Sequence, residues 1–159
     1  MPGLEDLYRE IILDHYRTPR HRGELDPPAV KVDGHNPLCG DEISVYLATD
    51  GTGDDAVVTD IKIGGQGCSI SQSSASMMTK AVMGKSVGEI GAVMRRFKSM
   101  MGIEGIELTE TDSEIDLGEL EALQGVVKFP VRIKCAVLSW NTLANAIDAA
   151  AAGDLDGDA

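Results

Sequence analysis

Apolar positions near the start of the chain recur with a helical period. Leu4, Leu7 and Ile11 are spaced three and four residues apart, which predicts an amphipathic helix over residues 4–16. The proline-containing, basic segment 17–23 follows, and a proline at this place ends the helical pattern. The sequence therefore predicts one opening helix.

Two later segments alternate between apolar and polar residues with period two, as half-buried strands do. Residues 43–47 and 57–63 show this pattern, and the Gly- and Asp-rich turn 50–55 lies between them. This arrangement predicts an antiparallel hairpin. A shorter alternation at residues 30–32 indicates a third strand before it.

The sequence predicts that the second half of the chain is mainly helical. A helix is predicted over residues 69–83, and Ser86 with Glu89 has the spacing of a capping box that starts the next helix. Pro130 suits the first turn of a long last helix. Together these elements predict an α+β fold, a small antiparallel β-sheet of about three strands with α-helices packed on one face.

The length of 159 residues favours one domain, residues 1–153, followed by a disordered acidic tail at 154–159. The net charge is −12, and the segment 103–124 is acidic and only weakly helical. Such a charge argues against nucleic acid and anionic membranes as partners. The sequence has neither an apolar run of about 20 residues nor a signal-peptide pattern, so we expect a cytoplasmic protein without a membrane span.

Three cysteines and one aspartate form a candidate metal site. An odd number of cysteines without a secretion signal argues against a disulfide framework. Cys39 and Asp41 precede the first hairpin strand and Cys68 follows the second, so the hairpin brings them together. With Cys135, three thiols and a carboxylate could hold one tetrahedral metal ion. This ligand set is unusual for a purely structural zinc site and therefore suggests a functional centre.

The same residues also have simpler interpretations. A single cysteine on a helix, such as Cys135, is commonly a small buried hydrophobic residue. We expect Cys68 and Cys135 both to lie near helix N-termini, where the positive end of the dipole favours thiolates. His15, His21 and His35 lack a common metal-ligand spacing, so surface or capping roles are expected for them.

Four motifs carry a resemblance to a known family. They are the opening Leu-Tyr-Arg-Glu-Ile-Ile-Leu-Asp-His-Tyr of residues 7–16, Asn-Pro-Leu-Cys-Gly-Asp at 36–41, Gly-Cys-Ser-Ile-Ser at 67–71, and Arg-Ile-Lys-Cys-Ala-Val-Leu-Ser-Trp at 132–140. Over residues 4–147 the chain resembles the SufU proteins, which are members of the IscU/NifU-N group of iron–sulfur cluster assembly proteins.

Three features separate this chain from the IscU-type scaffolds of that group. Lys134 stands where those scaffolds carry a histidine, and residues 128–132 replace their chaperone-binding segment. The segment 103–124 is an insertion relative to them. All three features resemble SufU, and they put cluster scaffolding and chaperone docking in doubt.

The resemblance implies a zinc-dependent sulfur acceptor, in effect a sulfurtransferase, that works with a SufS-type cysteine desulfurase and passes sulfur to other SUF assembly proteins. It implies Zn2+ bound by Cys39, Asp41, Cys68 and Cys135. Cys39 would leave the metal to receive persulfide sulfur, and Arg132 would support the site at the desulfurase interface. Two alternatives remain, a scaffold for an iron–sulfur cluster and a zinc site that only stabilises the fold.

Overall fold

The computed structural model describes residues 4–37, 40–152 and 156–158. The helices and strands follow one another as α1 (Leu4–Arg17), β1 (Val30–Asn36), β2 (Asp41–Asp50), β3 (Val57–Gln66), α2 (Ser69–Val82), α3 (Val87–Met100), α4 (Glu110–Ser113), α5 (Pro130–Ala152) and β4 (Asp156–Asp158). A short 3₁₀ helix, Gly53–Asp55, lies before β3, and a long one, Gly118–Lys128, leads into α5.

The sheet has the strand order β3-β2-β1-β4. β1, β2 and β3 are antiparallel neighbours, with Val32 opposite Val45 and Val45 opposite Ile63, so the predicted antiparallel sheet is confirmed. The short β4 pairs in parallel with β1. It falls within the segment 154–159, for which the sequence predicts disorder, and its backbone occupies an edge of β1 that would otherwise be open.

Alternate residues of the three antiparallel strands face a core built from the helices. α5 packs across β1 and β2, and α2 packs against both α5 and β3. Ser74 on α2 donates a hydrogen bond to the carbonyl oxygen of Ala136 on α5. The ring of Phe97 on α3 stacks on Trp140 of α5 with 5.0 Å between ring centroids. The α+β class expected from the sequence is therefore confirmed.

The capping box predicted for α3 is present. Ser86 Oγ accepts a hydrogen bond from the backbone N–H of Glu89 at 3.2 Å, and Glu89 Oε1 accepts one from the backbone N–H of Ser86 at 3.1 Å. These two bonds satisfy two backbone donors that have no partner inside the helix.

The acidic insertion is folded into the protein rather than lying over its surface. The long 3₁₀ helix, which begins in the last third of the insertion, packs against α1, α2 and α5. It buries Leu120, Leu123 and Val126 in the common core. Most acidic residues of the insertion are exposed, whereas Asp112 is buried and Glu119 lies beside the buried His15.

The expectation that His15 has a surface or capping role is wrong, because its side chain is fully buried. Nδ1 lies 2.7 Å from Ser76 Oγ on α2, and Nε2 lies 3.3 Å from Glu119 Oε1 on the long 3₁₀ helix. Ser76 Oγ accepts the backbone N–H of Arg20, so its own proton can be donated to Nδ1. Burial lowers the pKa of His15, although the nearby Glu119 carboxylate, which can accept the Nε2–H, opposes this shift.

Asp112 attaches the insertion to α3 through an ion pair with Arg95. The side chain is buried and accepts two hydrogen bonds from Arg95, at 2.8 and 3.1 Å. Arg95, together with the backbone N–H of Thr109, lowers the pKa of Asp112 from 3.8 to about 2. The stabilisation is therefore fully present above pH 3.8 and is lost as the pH falls through about 2.

We predict that Asp112→Asn lowers the melting temperature clearly at pH 7 and has much less effect at pH 2. Thermal unfolding of both proteins at the two pH values measures the difference. Glu110→Gln, on the exposed side of the same short helix, is the matched control and should change little at either pH. An equal loss of stability at both pH values would contradict the ionic role of Asp112.

Candidate metal centre

Three separate elements bring potential metal ligands to one place. Asp41 is the first residue of β2, Cys68 immediately precedes α2, and Cys135 lies on α5. Their ligand atoms all lie within 4.8 Å of one another. The β2–β3 hairpin accounts for the first two, because it returns the chain to the end of the sheet where it began. Cys39, the fourth predicted ligand, lies outside the described residues.

Asp41 is fully buried and is held by the backbone of Cys68. Its Oδ1 accepts the N–H of Cys68 at 2.9 Å, and its Oδ2 lies 3.9 Å from Cys68 Sγ. One carboxylate oxygen is thus fixed by a main-chain donor while the other faces the sulfur. This arrangement orients the carboxylate as a ligand before any metal ion binds.

The two described cysteines occupy different positions on their helices. Cys68 is the N-cap residue of α2, and its Sγ accepts a hydrogen bond from the N–H of Ser71 at 3.5 Å. Its predicted position at a helix start is therefore confirmed. Cys135 also lies near a helix start as expected, but in the second turn of α5, which begins at Pro130. The effect of the helix dipole is concentrated in the first turn and contributes less at this residue.

Gly67 forms a cradle for the Asp41 carboxylate. A Cβ atom at this position would overlap Asp41 Oδ1 and would also crowd Ser71 Oγ. Gly65, with φ of +104°, already adopts a backbone conformation that favours glycine, and a Cβ there would collide with the backbone of Glu42. Gly65 at the end of β3 and Gly67 before α2 therefore allow the chain to pass close to β2 and its buried carboxylate.

The described residues fit a zinc ion. Zinc prefers tetrahedral sites with thiolate sulfur at about 2.3 Å, which places neighbouring ligand atoms about 3.8 Å apart. The separations among Asp41, Cys68 and Cys135, all within 4.8 Å, need only a small contraction to reach that geometry. A fully buried carboxylate beside two thiols is also costly in free energy unless a cation compensates for it.

Arg132 lies one helical turn before Cys135, on the exposed first turn of α5. Two apolar side chains next to it, Phe129 and Val131, are 62% and 60% exposed. They border a groove of about 960 Å³ between α1, the long 3₁₀ helix and the start of α5. Sequence reasoning found Arg132 but missed this apolar patch, although two large apolar residues flanking a helix-starting proline were visible.

Asn36 is a second residue that the sequence did not single out. It is buried, and its Nδ2 lies 3.8 Å from Cys135 Sγ. Its place three residues before Cys39 was visible in the motif, but contact with a cysteine 99 residues further along depends on the fold.

The fold and the centre define a class, α+β proteins with a cysteine- and aspartate-lined site at one end of an antiparallel sheet. The model of the NifU-like N terminal domain matches residues 7–136, and the chain belongs to this family. The resemblance seen in the sequence is thereby confirmed. Among the helices of the described residues, none is long and apolar enough to cross a membrane.

Individual relatives cover most of the chain. The zinc-dependent sulfurtransferase SufU of Bacillus subtilis (strain 168) is 48% identical over 141 residues, 89% of each protein. The iron–sulfur cluster assembly scaffold protein IscU of Streptococcus pyogenes serotype M1 is 42% identical over 144 residues, 91% of this chain and 84% of that protein. A crystal structure from Fervidobacterium islandicum AW-1, described as an iron–sulfur cluster assembly scaffold protein for the SUF system, superposes with a TM-score of 0.74. It is 33% identical and covers 90% of this chain and 98% of that one.

We predict that Gly67→Ala weakens zinc binding by at least about tenfold, because the new methyl group displaces the Asp41 carboxylate. Competition with a chromogenic chelator measures the dissociation constant. Gly64→Ala is the matched control, since a Cβ there meets only the side chain of Ser44 at 3.9 Å. Equal zinc affinities in the two variants would contradict the role assigned to the cradle.

Proposed function

We propose that this protein is a zinc-dependent sulfur acceptor in iron–sulfur cluster assembly, taking persulfide sulfur from a SufS-type cysteine desulfurase. The observation that carries the proposal is the buried convergence of Asp41, Cys68 and Cys135, in a chain that is 48% identical to a protein named as a zinc-dependent sulfurtransferase. The protein would act in the cytoplasm and pass sulfur to other SUF assembly proteins.

Cys39, Asp41, Cys68 and Cys135 would hold Zn2+. When bound, zinc keeps its cysteine ligands deprotonated and ties the start of β2 to α2 and α5. Asp41 is the one carboxylate in the set, and its Oδ1 already accepts a hydrogen bond from the N–H of Cys68. Asp41 would therefore bind the metal less tightly than the three thiolates. It would tune how easily the acceptor thiolate is released.

Cys39 is the acceptor in this proposal. Cys68 is held at the start of α2, and Cys135 is fully buried within α5, so both are fixed by their helices. In the transfer, the Cys39 thiolate attacks the outer sulfur of the desulfurase persulfide. A sulfur–sulfur bond forms on Cys39 as the desulfurase bond breaks, and the desulfurase cysteine leaves as a thiolate. No external oxidant or reductant is needed.

The patch around Arg132 is the proposed contact with the desulfurase. Phe129 and Val131 present apolar surface there, and Arg132 lies one turn from Cys135 on the same helix. Arg9 and Lys128 line the adjoining groove together with Glu5, which pairs with Lys128, so with Arg132 the groove carries more basic than acidic groups on a chain of net charge −12. An apolar partner surface that carries acidic groups would complement it.

A scaffold for an iron–sulfur cluster is the second candidate. It is favoured by the 42% identity to a protein named as an IscU scaffold, and by a ligand set that could also hold a [2Fe–2S] cluster. The two functions require different metal contents, which makes them separable without any partner protein.

We predict that protein purified in air is colourless and contains one zinc ion per chain. Elemental analysis and the visible absorption spectrum measure this directly. Brown protein with iron and acid-labile sulfide would instead support the scaffold.

Zinc removal should lower the melting temperature without unfolding the chain, because the core between the sheet and α5 does not depend on the metal.

We predict that Cys39→Ala abolishes stimulation of a SufS-type desulfurase, since the variant lacks the accepting thiolate. In the parent protein, mass spectrometry after reaction with desulfurase and cysteine should find the mass of one added sulfur on the peptide containing Cys39. Ser99→Ala, at the half-buried C-terminal end of α3, is a control and should leave stimulation unchanged. Added sulfur on Cys68 or Cys135, with Cys39→Ala still active, would refute this assignment.

A further inference from the structure

Asn36 connects two parts of the candidate metal centre. It is the last residue of β1, only 7% exposed, and it pairs across the sheet with Asp41. Its backbone carbonyl accepts the N–H of Gly40 at 2.9 Å, which closes the turn between β1 and β2. Its side-chain Nδ2 lies 3.8 Å from Sγ of Cys135 on α5. One residue therefore touches both the hairpin and the ligand on the last helix.

A hydrogen bond from an amide changes the chemistry of a thiolate. The Asn side chain carries two N–H donors and has no charge of its own, so its donor capacity does not vary with pH. A donor pointing at sulfur stabilises the negative charge there and makes the lone pairs less available for attack. Hydrogen bonds to sulfur are one of the means by which proteins tune sulfur-ligated metal centres.

Cys68 has a comparable donor. The backbone N–H of Ser71 lies 3.5 Å from Cys68 Sγ, as part of the cap of α2. Both helix-borne cysteines of the centre therefore face an N–H group. The donor to Cys68 comes from the main chain, whereas the donor to Cys135 is a side chain and can be removed by substitution.

We propose that Asn36 is a positioning residue whose amide holds an N–H···S hydrogen bond to Cys135 and keeps this sulfur from acting as a nucleophile. Transferred sulfur would then be directed to Cys39 and away from Cys135. The inference rests on the proposed sulfur-acceptor function, but the hydrogen bond itself is open to a test that does not involve transfer.

Two variants separate the loss of the donor from the opening of a cavity. Asn36→Ala removes the amide and leaves space, whereas Asn36→Leu removes the amide and fills that space with a side chain of the same branching and number of heavy atoms. His35→Gln, at the neighbouring exposed position on β1, is the matched control. All variants keep the backbone bond from Gly40 to residue 36.

The first measurement uses protein loaded with Co2+ in place of zinc. Loss of the N–H···S bond raises the energy of the sulfur lone pairs, so the sulfur-to-cobalt charge-transfer band should move to longer wavelength. We expect this shift in both Asn36→Ala and Asn36→Leu, and none in His35→Gln. An unshifted band in both Asn36 variants would overturn the proposal, whatever their activity.

The second measurement follows alkylation of the zinc-loaded proteins by peptide mass spectrometry. The rate at Cys135 relative to Cys68 should rise roughly tenfold in both Asn36 variants, the lower end of what outer partners of metal ligands contribute. A rise in Asn36→Ala alone would show that solvent access is the cause and would overturn the proposal.

The third measurement locates sulfur after reaction with desulfurase and cysteine. In both Asn36 variants a fraction of the added sulfur should appear on the Cys135 peptide, where the parent protein shows none. If the parent accepts no sulfur on Cys39, the proposed function fails, and the cobalt band then decides the role of Asn36 on its own. Sulfur confined to Cys39 in both variants would contradict the directing role.

Discussion

A single hydrogen bond, from the backbone N–H of Cys68 to the buried carboxylate of Asp41, joins the start of β2 to the start of α2. The distance of 2.9 Å is reached only because Gly67 has no side chain to separate the two segments. The same contact fixes which carboxylate oxygen faces the sulfur of Cys68. The candidate ligands Asp41 and Cys68 are therefore arranged by protein contacts, and a metal ion would bind to a site that is largely formed.

The position of Cys135, the remaining described candidate ligand, is set by the packing of the core. Cys135 is placed by α5, and α5 is held against the sheet by large buried side chains and against α2 by the bond between Ser74 and the carbonyl of Ala136. The long 3₁₀ helix also packs against α5 and buries Leu120 and Leu123 in the core. The acidic insertion therefore contributes to the scaffold that supports the centre as well as to the surface charge.

The centre lies at a boundary between buried and exposed parts of one helix. Cys135 is fully buried, while Arg132, one turn earlier, is exposed beside the apolar side chains of Phe129 and Val131. A partner bound to the start of α5 would therefore be brought close to the ligands without entering the core. This geometry suits a function in which a thiol must receive a group from another protein and the remaining ligands must stay in place.

The sequence by itself determined the hairpin, the capping box of α3 and the convergence of Asp41 with Cys68. These follow from local periodicity and from the topology of two antiparallel strands, whose outer ends must meet. Only the tertiary structure decided that His15 is buried, that residues 118–128 form a 3₁₀ helix in the core, and that Asn36 reaches Cys135. The physical reason is that periodicity identifies the apolar face of each element, whereas the partners of a polar side chain on that face belong to other elements and are set by how the elements pack.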